Sequence, residues 1–371
     1  MISEELFTVI FAFVISIVFT AWIIPKIILV SFRKKLFDFQ DERKVHVGIV
    51  PRLGGIAFVP SIIISLSLII GSDILLCGGA AASNFNAVQL SLGLCAIMLL
   101  YFEGIMDDLI GLGYRVKFIF QVISACLLAL SGVWLNDLHG LFGVYEMSPY
   151  VGMPLSVLIV VFLINAINLI DGIDGLASGL SIIASLFFGE VFCYVDLWEY
   201  AALSFATLGT LCAFFYYNVF GDVEKRRKIF MGDTGSQCIG LILGFLAVRM
   251  SMRNPEPECN IEGSIIIAFS MLLVPAFDVI RVMIHRARHK DNIFKPDRNH
   301  IHHKFLALGC PHKMTMVIIL LISMFFIMLN FVLLSRVDIN IILVCDILIY
   351  TVLNVILTRA INKKNANMIK E

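Results

Sequence analysis

Runs of about twenty apolar residues recur from one end of this sequence to the other, and no other feature constrains its fold as tightly. A run of that length can cross the ~30 Å hydrocarbon core of a bilayer as a helix. By length and composition the runs fall at 6–32, 53–71, 86–106, 117–134, 151–169, 176–194, 200–219, 235–251, 263–284, 314–334 and 340–361. Inside a bilayer every backbone amide must find its partner within the protein, so only helices or closed barrels span it, and unbroken runs are not barrel strands. The expectation is an all-α, polytopic membrane bundle of about 11 transmembrane helices, forming one membrane-embedded domain over residues 1–371. With 59% hydrophobic and only 15% charged residues, a soluble enzyme, a disulfide-rich secreted module and a disordered chain are excluded.

Net charge is zero and uninformative, but the placement of the charges is not. One set of alternate connections carries Arg33, Lys34, Lys35, Arg43, Lys44, Arg52, Arg115, Lys117, Lys225 to Lys228, and the cations between Arg286 and Lys313. The other set holds little beyond Arg249, Arg253 and Arg336. By the positive-inside rule the N-terminus lies outside and the C-terminus in the cytoplasm. Trp134 and Trp198 at outer helix ends fit an interfacial belt. Glu4 and Glu5 stand where a cleavable signal would be basic, so the first run reads as a span. The nine cysteines are scattered without a C-x-x-C, leaving only Cys77 and Cys259 as a pair that could meet outside.

Acids in or beside membrane spans are functional candidates, because Asp107, Asp108, Asp171, Asp174 and Asp233 together would cost roughly 12–18 kcal/mol facing lipid. All five fall on the side assigned to the cytoplasm. Asp107-Asp108 close the third span ahead of glycines 111 and 113; alone, they read equally as solvated loop acids. In Asn165-Ala-Ile-Asn168-Leu-Ile-Asp171-Gly-Ile-Asp174-Gly, hard oxygen ligands recur every third residue, a set suited to Mg²⁺ rather than zinc. The competing reading has the asparagines merely bridging helices. Met231-Gly-Asp233-Thr-Gly-Ser236 opens the eighth span and suits either simple capping or a phosphate at a helix N-terminus. Lys295-Pro-Asp297-Arg298-Asn299-His300-Ile301-His302-His303 lacks zinc-ligand spacing and reads as a phosphate clamp or a solvated basic loop. Arg43-Lys44-Val-His46 and Pro51-Arg52-Leu-Gly54-Gly55 add cations that would also suit anionic headgroups. Asp278 and Arg281, three apart, are expected to pair structurally.

Taken in order, R-K-x-H…P-R-x-G-G at 43–55, D-D at 107–108, N-A-x-N-L-x-D-G-x-D-G-L at 165–176, M-G-D-T-G-S at 231–236 and P-D-R-x-H-I-H-H at 296–303 resemble the polyprenyl-phosphate N-acetylhexosamine-1-phosphate transferase family. The H-I-H-H form is similar to the branch that makes undecaprenyl-diphospho-GlcNAc, whereas Asn292-Ile-Phe294 departs from the Ser-Pro-Phe of many relatives. The resemblance implies transfer of N-acetylglucosamine-1-phosphate from UDP-GlcNAc to undecaprenyl phosphate, releasing UMP and initiating a lipid-linked envelope glycan. It implies Mg²⁺ as cofactor, with Mn²⁺ an acceptable substitute, and a bacterial inner-membrane enzyme with a cytoplasmic site. Asp233 and Asn168 would hold the metal. Asp107, Asp108, Asp171 and Asp174 would be catalytic, Asp107 as positioning group or base. Lys44, His46, Asn165, Arg298, His300, His302 and His303 would meet the substrates. The implied partners are those two substrates and membrane lipid, without nucleic acid, and with a homodimer allowed. The alternatives are another UDP-N-acetylhexosamine donor (GalNAc or MurNAc-pentapeptide) or an ion-coupled transporter, which would place its acids near mid-bilayer and often repeat its halves.

Overall fold

In the computed structural model, residues 4–36, 50–76, 86–254, 259–288 and 299–368 are described. They form twelve helices: α1 (Glu4–Lys34), α2 (Phe58–Leu76), α3 (Ala87–Ile110), α4 (Tyr114–Leu130), α5 (Pro149–Ile170), α6 (Leu176–Tyr194), α7 (Trp198–Val219), α8 (Gly232–Ser251), α9 (Ser264–Arg288), α10 (Ile301–Ala307), α11 (His312–Leu334) and α12 (Ile339–Met368). The only pairing of strand type among the described residues is an isolated bridge between Asp137 and Glu146. Each apolar run of the sequence corresponds to one of these helices, and α10 is a short addition. The chain is an all-helical bundle of membrane-spanning type.

Ten of the helices are long and apolar enough to cross a membrane, against about eleven expected; α4, the shorter eleventh, still runs from the basic end of the bundle to the opposite one. That helix has 17 residues, because Gly132 at φ +93° breaks it just past Ser131. Residues 131–134, expected in the span, instead leave the helix and start a loop.

Alternate connections gather at two opposite ends of the bundle. At one end the α4–α5 loop meets the α8–α9 connection, where Asn136 Nδ2 donates to Arg253 O at 2.9 Å and Arg253 N to Asn136 Oδ1 at 2.8 Å. The α11–α12 turn joins them through Asn340 Nδ2 and Gly140 O at 3.2 Å. At the other end, Phe230 N donates to Pro51 O, Gly54 N to Phe230 O and Gly55 N to Met231 O at 2.8–2.9 Å. Lys364 of α12 reaches Ala307 O of α10 at this same end. It is the end rich in lysine and arginine.

α8 is the axis of the bundle and is buried along nearly its whole length. Its neighbours come close because the contacts are glycine. A Cβ on Gly55 would collide with the backbone of Gly235, and one on Gly104 of α3 would lie 2.5 Å from Thr234 Cα. Phe58, Phe188, Phe192, Phe214 and Phe326 fill the interior, while Trp22, Phe102, Phe325 and Ile356 face outward, as suits a lipid-solvated exterior.

Candidate active site

The basic end of the bundle holds the acids, and the local chain explains how. α3 ends at Ile110; Gly111 takes φ +69°, its N–H returns to Asp107 O, and Leu112 N donates to Asp107 Oδ1 at 2.7 Å. The carboxylate of Asp107 is thereby pinned at the helix end with its second oxygen turned inward. Asp108, the next residue, leans onto α8. It accepts Asp233 N at 2.7 Å, Thr234 N at 3.1 Å and Thr234 Oγ1 at 2.5 Å. Asp108 therefore supplies the N-terminal cap of α8 from another helix, satisfying amides that α8 cannot satisfy itself.

Asp233, in the first turn of α8, faces Asp107 across a single cation. Lys117 Nζ bridges the two, pairing with Asp107 Oδ2 and, at 3.0 Å, with Asp233 Oδ2. The other oxygen of Asp233 accepts Asn168 Nδ2 at 2.5 Å, and the same amide reaches Ser236 Oγ at 2.8 Å. Asn168 thus orients Asp233 from α5. Asn165, one turn deeper, donates to Gln121 and to its own helix rather than opening toward this centre. A pocket of about 440 Å³ lies over the pair, lined by Lys35, Arg52, Asp107, Asp108, Lys117 and Asp233, with Leu36, Leu109 and Ile110 at its apolar edge.

The turn at 171–175 supplies the next acids. Asp174 pairs with Lys228 Nζ at 2.5 Å. Asp171 has Asp233, Asp174, Asp108 and Arg52 as charged neighbours; burial first, then the carboxylates of Asp233 and Asp174, push it up to about 7. Gly172 is pressed against the His302 ring, where any Cβ would collide with the imidazole. His302 is buried with neither ring nitrogen hydrogen-bonded among the described residues. Burial, then neighbouring His303, hold its pKa down to about 3, and its ring is wedged on the turn.

α9 and α10 contribute more than the expected ion pair. Asp278 does meet Arg281 Nη2 at 2.8 Å, but it also binds His300 Nδ1 at 2.8 Å, Ile301 N at 3.0 Å and the Tyr350 hydroxyl at 3.4 Å. Arg281 in turn bonds Asn299 O. One fully buried carboxylate thus anchors the start of α10 and fixes the His300 ring, leaving its Nε2 as the nitrogen available for other work. The His303 ring lies 4.2 Å from that of His302, tilted by 44°.

The structure therefore brings together Asp107, Asp108, Asp171, Asp174, Asp233 and Asn168, with the His302 ring against the same turn. Lys44, His46, Arg298, Cys77 and the segment Asn292-Ile-Phe294 lie outside the described residues. Lys117, Lys228 and Asp278 also stand in or beside this cluster, where the sequence shows only topogenic charge and a structural pair. All five acids sit at one end of the bundle, away from the mid-bilayer position that a transporter would need.

No three His, Cys, Asp or Glu residues among those described form a ready metal cluster. Two carboxylates from separate helices are fixed close enough to share one ammonium, with a third, Asp171, as charged neighbour. Hard oxygens around a single bridging cation suit Mg²⁺.

Comparison with known proteins adds an independent line. The profile of glycosyl transferase family 4 matches residues 90–251. The chain is 30% identical over 328 residues to the probable undecaprenyl-phosphate N-acetylglucosaminyl 1-phosphate transferase of Bacillus subtilis (strain 168), covering 88% of this chain and 85% of the relative. It is 28% identical over 295 residues to the undecaprenyl-phosphate alpha-N-acetylglucosaminyl 1-phosphate transferase of Yersinia pestis, covering 79% and 75%. It is also 29% identical over 307 residues to the decaprenyl-phosphate N-acetylglucosaminephosphotransferase of Mycolicibacterium smegmatis (strain ATCC 700084 / mc(2)155), covering 76% and 71%.

Proposed function

Because the chain belongs to glycosyl transferase family 4, among the polyprenyl-phosphate N-acetylhexosamine-1-phosphate transferases, we propose that it transfers N-acetylglucosamine-1-phosphate from UDP-GlcNAc to undecaprenyl phosphate. The products are undecaprenyl-diphospho-GlcNAc and UMP. In this reading the basic end of the bundle faces the cytoplasm of a bacterial inner membrane, the N-terminus lies outside, and the product primes a cell-envelope glycan. One observation carries the reading: Asp107 and Asp233, from different helices, converge on one cation beneath a polar pocket with basic walls and an apolar lip.

The chemistry follows from charge. A phosphate monoester has a second pKa of about 6, so the acceptor is largely dianionic at neutral pH and needs little help from a base. Its oxygen forms a bond to the β-phosphorus as the bond to the bridging oxygen of UMP breaks, and UMP leaves with that oxygen. The main barrier is bringing an anion to a diphosphate, and fixed cations lower it. Asp107 and Asp233 would hold Mg²⁺, with Asn168 fixing Asp233 from behind. When bound, the metal neutralises diphosphate charge and draws electron density from phosphorus. Lys35 and Arg52 line the same pocket and bind phosphate oxygens, and Lys117 adds its charge beside them. Asp108 keeps the start of α8 in place, and Lys228 holds Asp174 so that the 171–175 turn closes one side. Leu36, Leu109 and Ile110, all solvent- or lipid-exposed, give the first isoprene units an exit into the bilayer.

Purified protein supplied with Mg²⁺, undecaprenyl phosphate and either UDP-GlcNAc, UDP-GalNAc or UDP-MurNAc-pentapeptide tests the donor. UMP release is expected with UDP-GlcNAc at least about tenfold faster than with the others, the discrimination that one lost buried hydrogen bond brings. Faster release from another donor reassigns the sugar, and none from any donor removes the transferase reading. Asp278→Asn is expected to lower kcat roughly ten- to hundredfold, as does loss of a carboxylate that orients a working imidazole. Steady-state kinetics check this against His300→Ala: the double variant should be little worse than either single one, and additive losses would detach Asp278 from His300.

A further inference from the structure

Beneath the catalytic residues lies a second polar layer that the proposed reaction does not use. α3, α4, α5 and α8 each carry one more polar residue about a turn further into the bundle: Glu103 beneath Asp107, Gln121 beneath Lys117, Asn165 beneath Asn168 and Gln237 beneath Asp233. Asn165 Nδ2 donates to Gln121 Oε1 at 2.7 Å, and Gln121 Nε2 donates to Gln237 Oε1 at 3.0 Å. The chain of donors stops there. Glu103 is 1% exposed, and neither of its carboxyl oxygens makes a hydrogen bond of ordinary length and angle among the described residues; the Gln237 side-chain amide faces it, and the Gln237 Nε2 likewise has no well-formed bond. Asp107, Lys117, Asp233 and Gln237 are its charged and polar neighbours.

A carboxyl group shut away with no well-formed donor is costly, and a leucine would fill the same space between helices at no such cost. The position therefore suits a cation that is elsewhere in the structure described above. Lys117 is within reach. Its ammonium bridges Asp107 and Asp233, the two carboxylates that a divalent ion would need. Both cations cannot share the pair, since ammonium protons cover the same oxygen lone pairs and the charges repel.

We propose that Glu103 is the second seat of the Lys117 ammonium, taken up when a divalent cation occupies the Asp107–Asp233 pair. Glu103 lies one helical turn, about 5 Å, below Asp107, a distance the flexible lysine stem covers by changing rotamer. Gln237 Nε2 then completes the pairing by donating to the other oxygen. Glu103 acts through Lys117 and is a positioning residue: it keeps the displaced charge inside the site, where the ammonium stays close to incoming phosphates. The proposal rests on reading the acid pair as a cation site.

The test is Mn²⁺ binding to the purified protein in lipid nanodiscs, read as loss of the free-ion EPR signal with neither substrate present. Glu103→Gln is expected to weaken Mn²⁺ binding roughly tenfold, the worth of one lost charge-assisted hydrogen bond. In a Lys117→Met background, where nothing needs displacing, the same substitution should leave affinity unchanged. Glu103→Met, which needs no hydrogen bond, should repeat the pattern and serves if the glutamine variant does not fold. Parental affinity in both Glu103 variants overturns the proposal, and so does an equal loss in the Lys117→Met background. In either case the transferase reading stands. A parent protein that binds no Mn²⁺ removes the cation site and this proposal together.

Discussion

Asp233→Asn protein, extracted from membranes in normal yield, is expected to release UMP roughly a hundred- to a thousandfold more slowly than the parent, the scale seen when one fixed electrostatic group is removed from a reacting centre. The fold should survive for a specific reason. The start of α8 is capped by Asp108, which binds the backbone N–H of Asp233 and of Thr234, so the Asp233 side chain is not needed to hold the helix. An asparagine there can still accept the Asn168 amide through its oxygen. What it cannot do is present two anionic oxygens opposite Asp107. The comparison is kcat together with a thermal melt. Turnover within a few-fold of the parent would strip Asp233 of any role in holding a cation.

Gly55→Ala should be nearly as damaging by a different route. Gly55 touches no substrate group, but its α-carbon rests on the backbone of Gly235, and its N–H donates to Met231 O at 2.8 Å. A methyl group inserted there meets main chain, which cannot rotate aside as a side chain can. Overpacking of this kind costs about 1–3 kcal/mol when side chains absorb it, and more against backbone. Relief requires α2 and the 51–55 segment to move off the start of α8, carrying Arg52 away from Asp108 and Asp233. The expected outcome is a lowered melting temperature together with loss of most activity. Gly71→Ala, on the adjoining α2 with open space around it, is the matched control and should change neither. Parental behaviour of Gly55→Ala would mean that the two segments are not in contact in the working enzyme.

Hydropathy made the helices legible, because each run long enough to cross a bilayer forms one; only the end of α4 differs, where Gly132 stops the helix inside the expected run. The five acids were legible as a one-sided set, since helices alternate direction and loop parity fixes which ends lie together. The pairings were not. Lys117 could be counted as a topogenic charge but not matched to Asp107 and Asp233, because that requires the rotation and depth of α4 relative to α3 and α8. Asp278 has a ready partner three residues away in Arg281, and that local explanation hid its bond to His300 across a turn. Gly104 and Gly55 look like ordinary glycines until the neighbouring backbone is known. One signal was readable. Glu103 with Asp107, Lys117 with Gln121, and Asp233 with Gln237 are each four apart on a helix, a spacing that puts both members on one face. Three spans with a polar pair of that spacing at the same end mark a polar seam two layers deep.

The burial of α8 reaches beyond catalysis into how the protein is made. It is the least apolar of the ten candidate spans and carries Asp233 at one end and Arg249 near the other. A segment like that partitions poorly into lipid when the translocon offers it alone. It becomes favourable only once α3, α5 and α9 surround it, so biogenesis is complete in the same step that sets Asp108 on the α8 terminus. A nascent chain that fails to assemble the acid pair is then left with a polar segment exposed to lipid. Membrane quality control can recognise such a chain without any test of its activity.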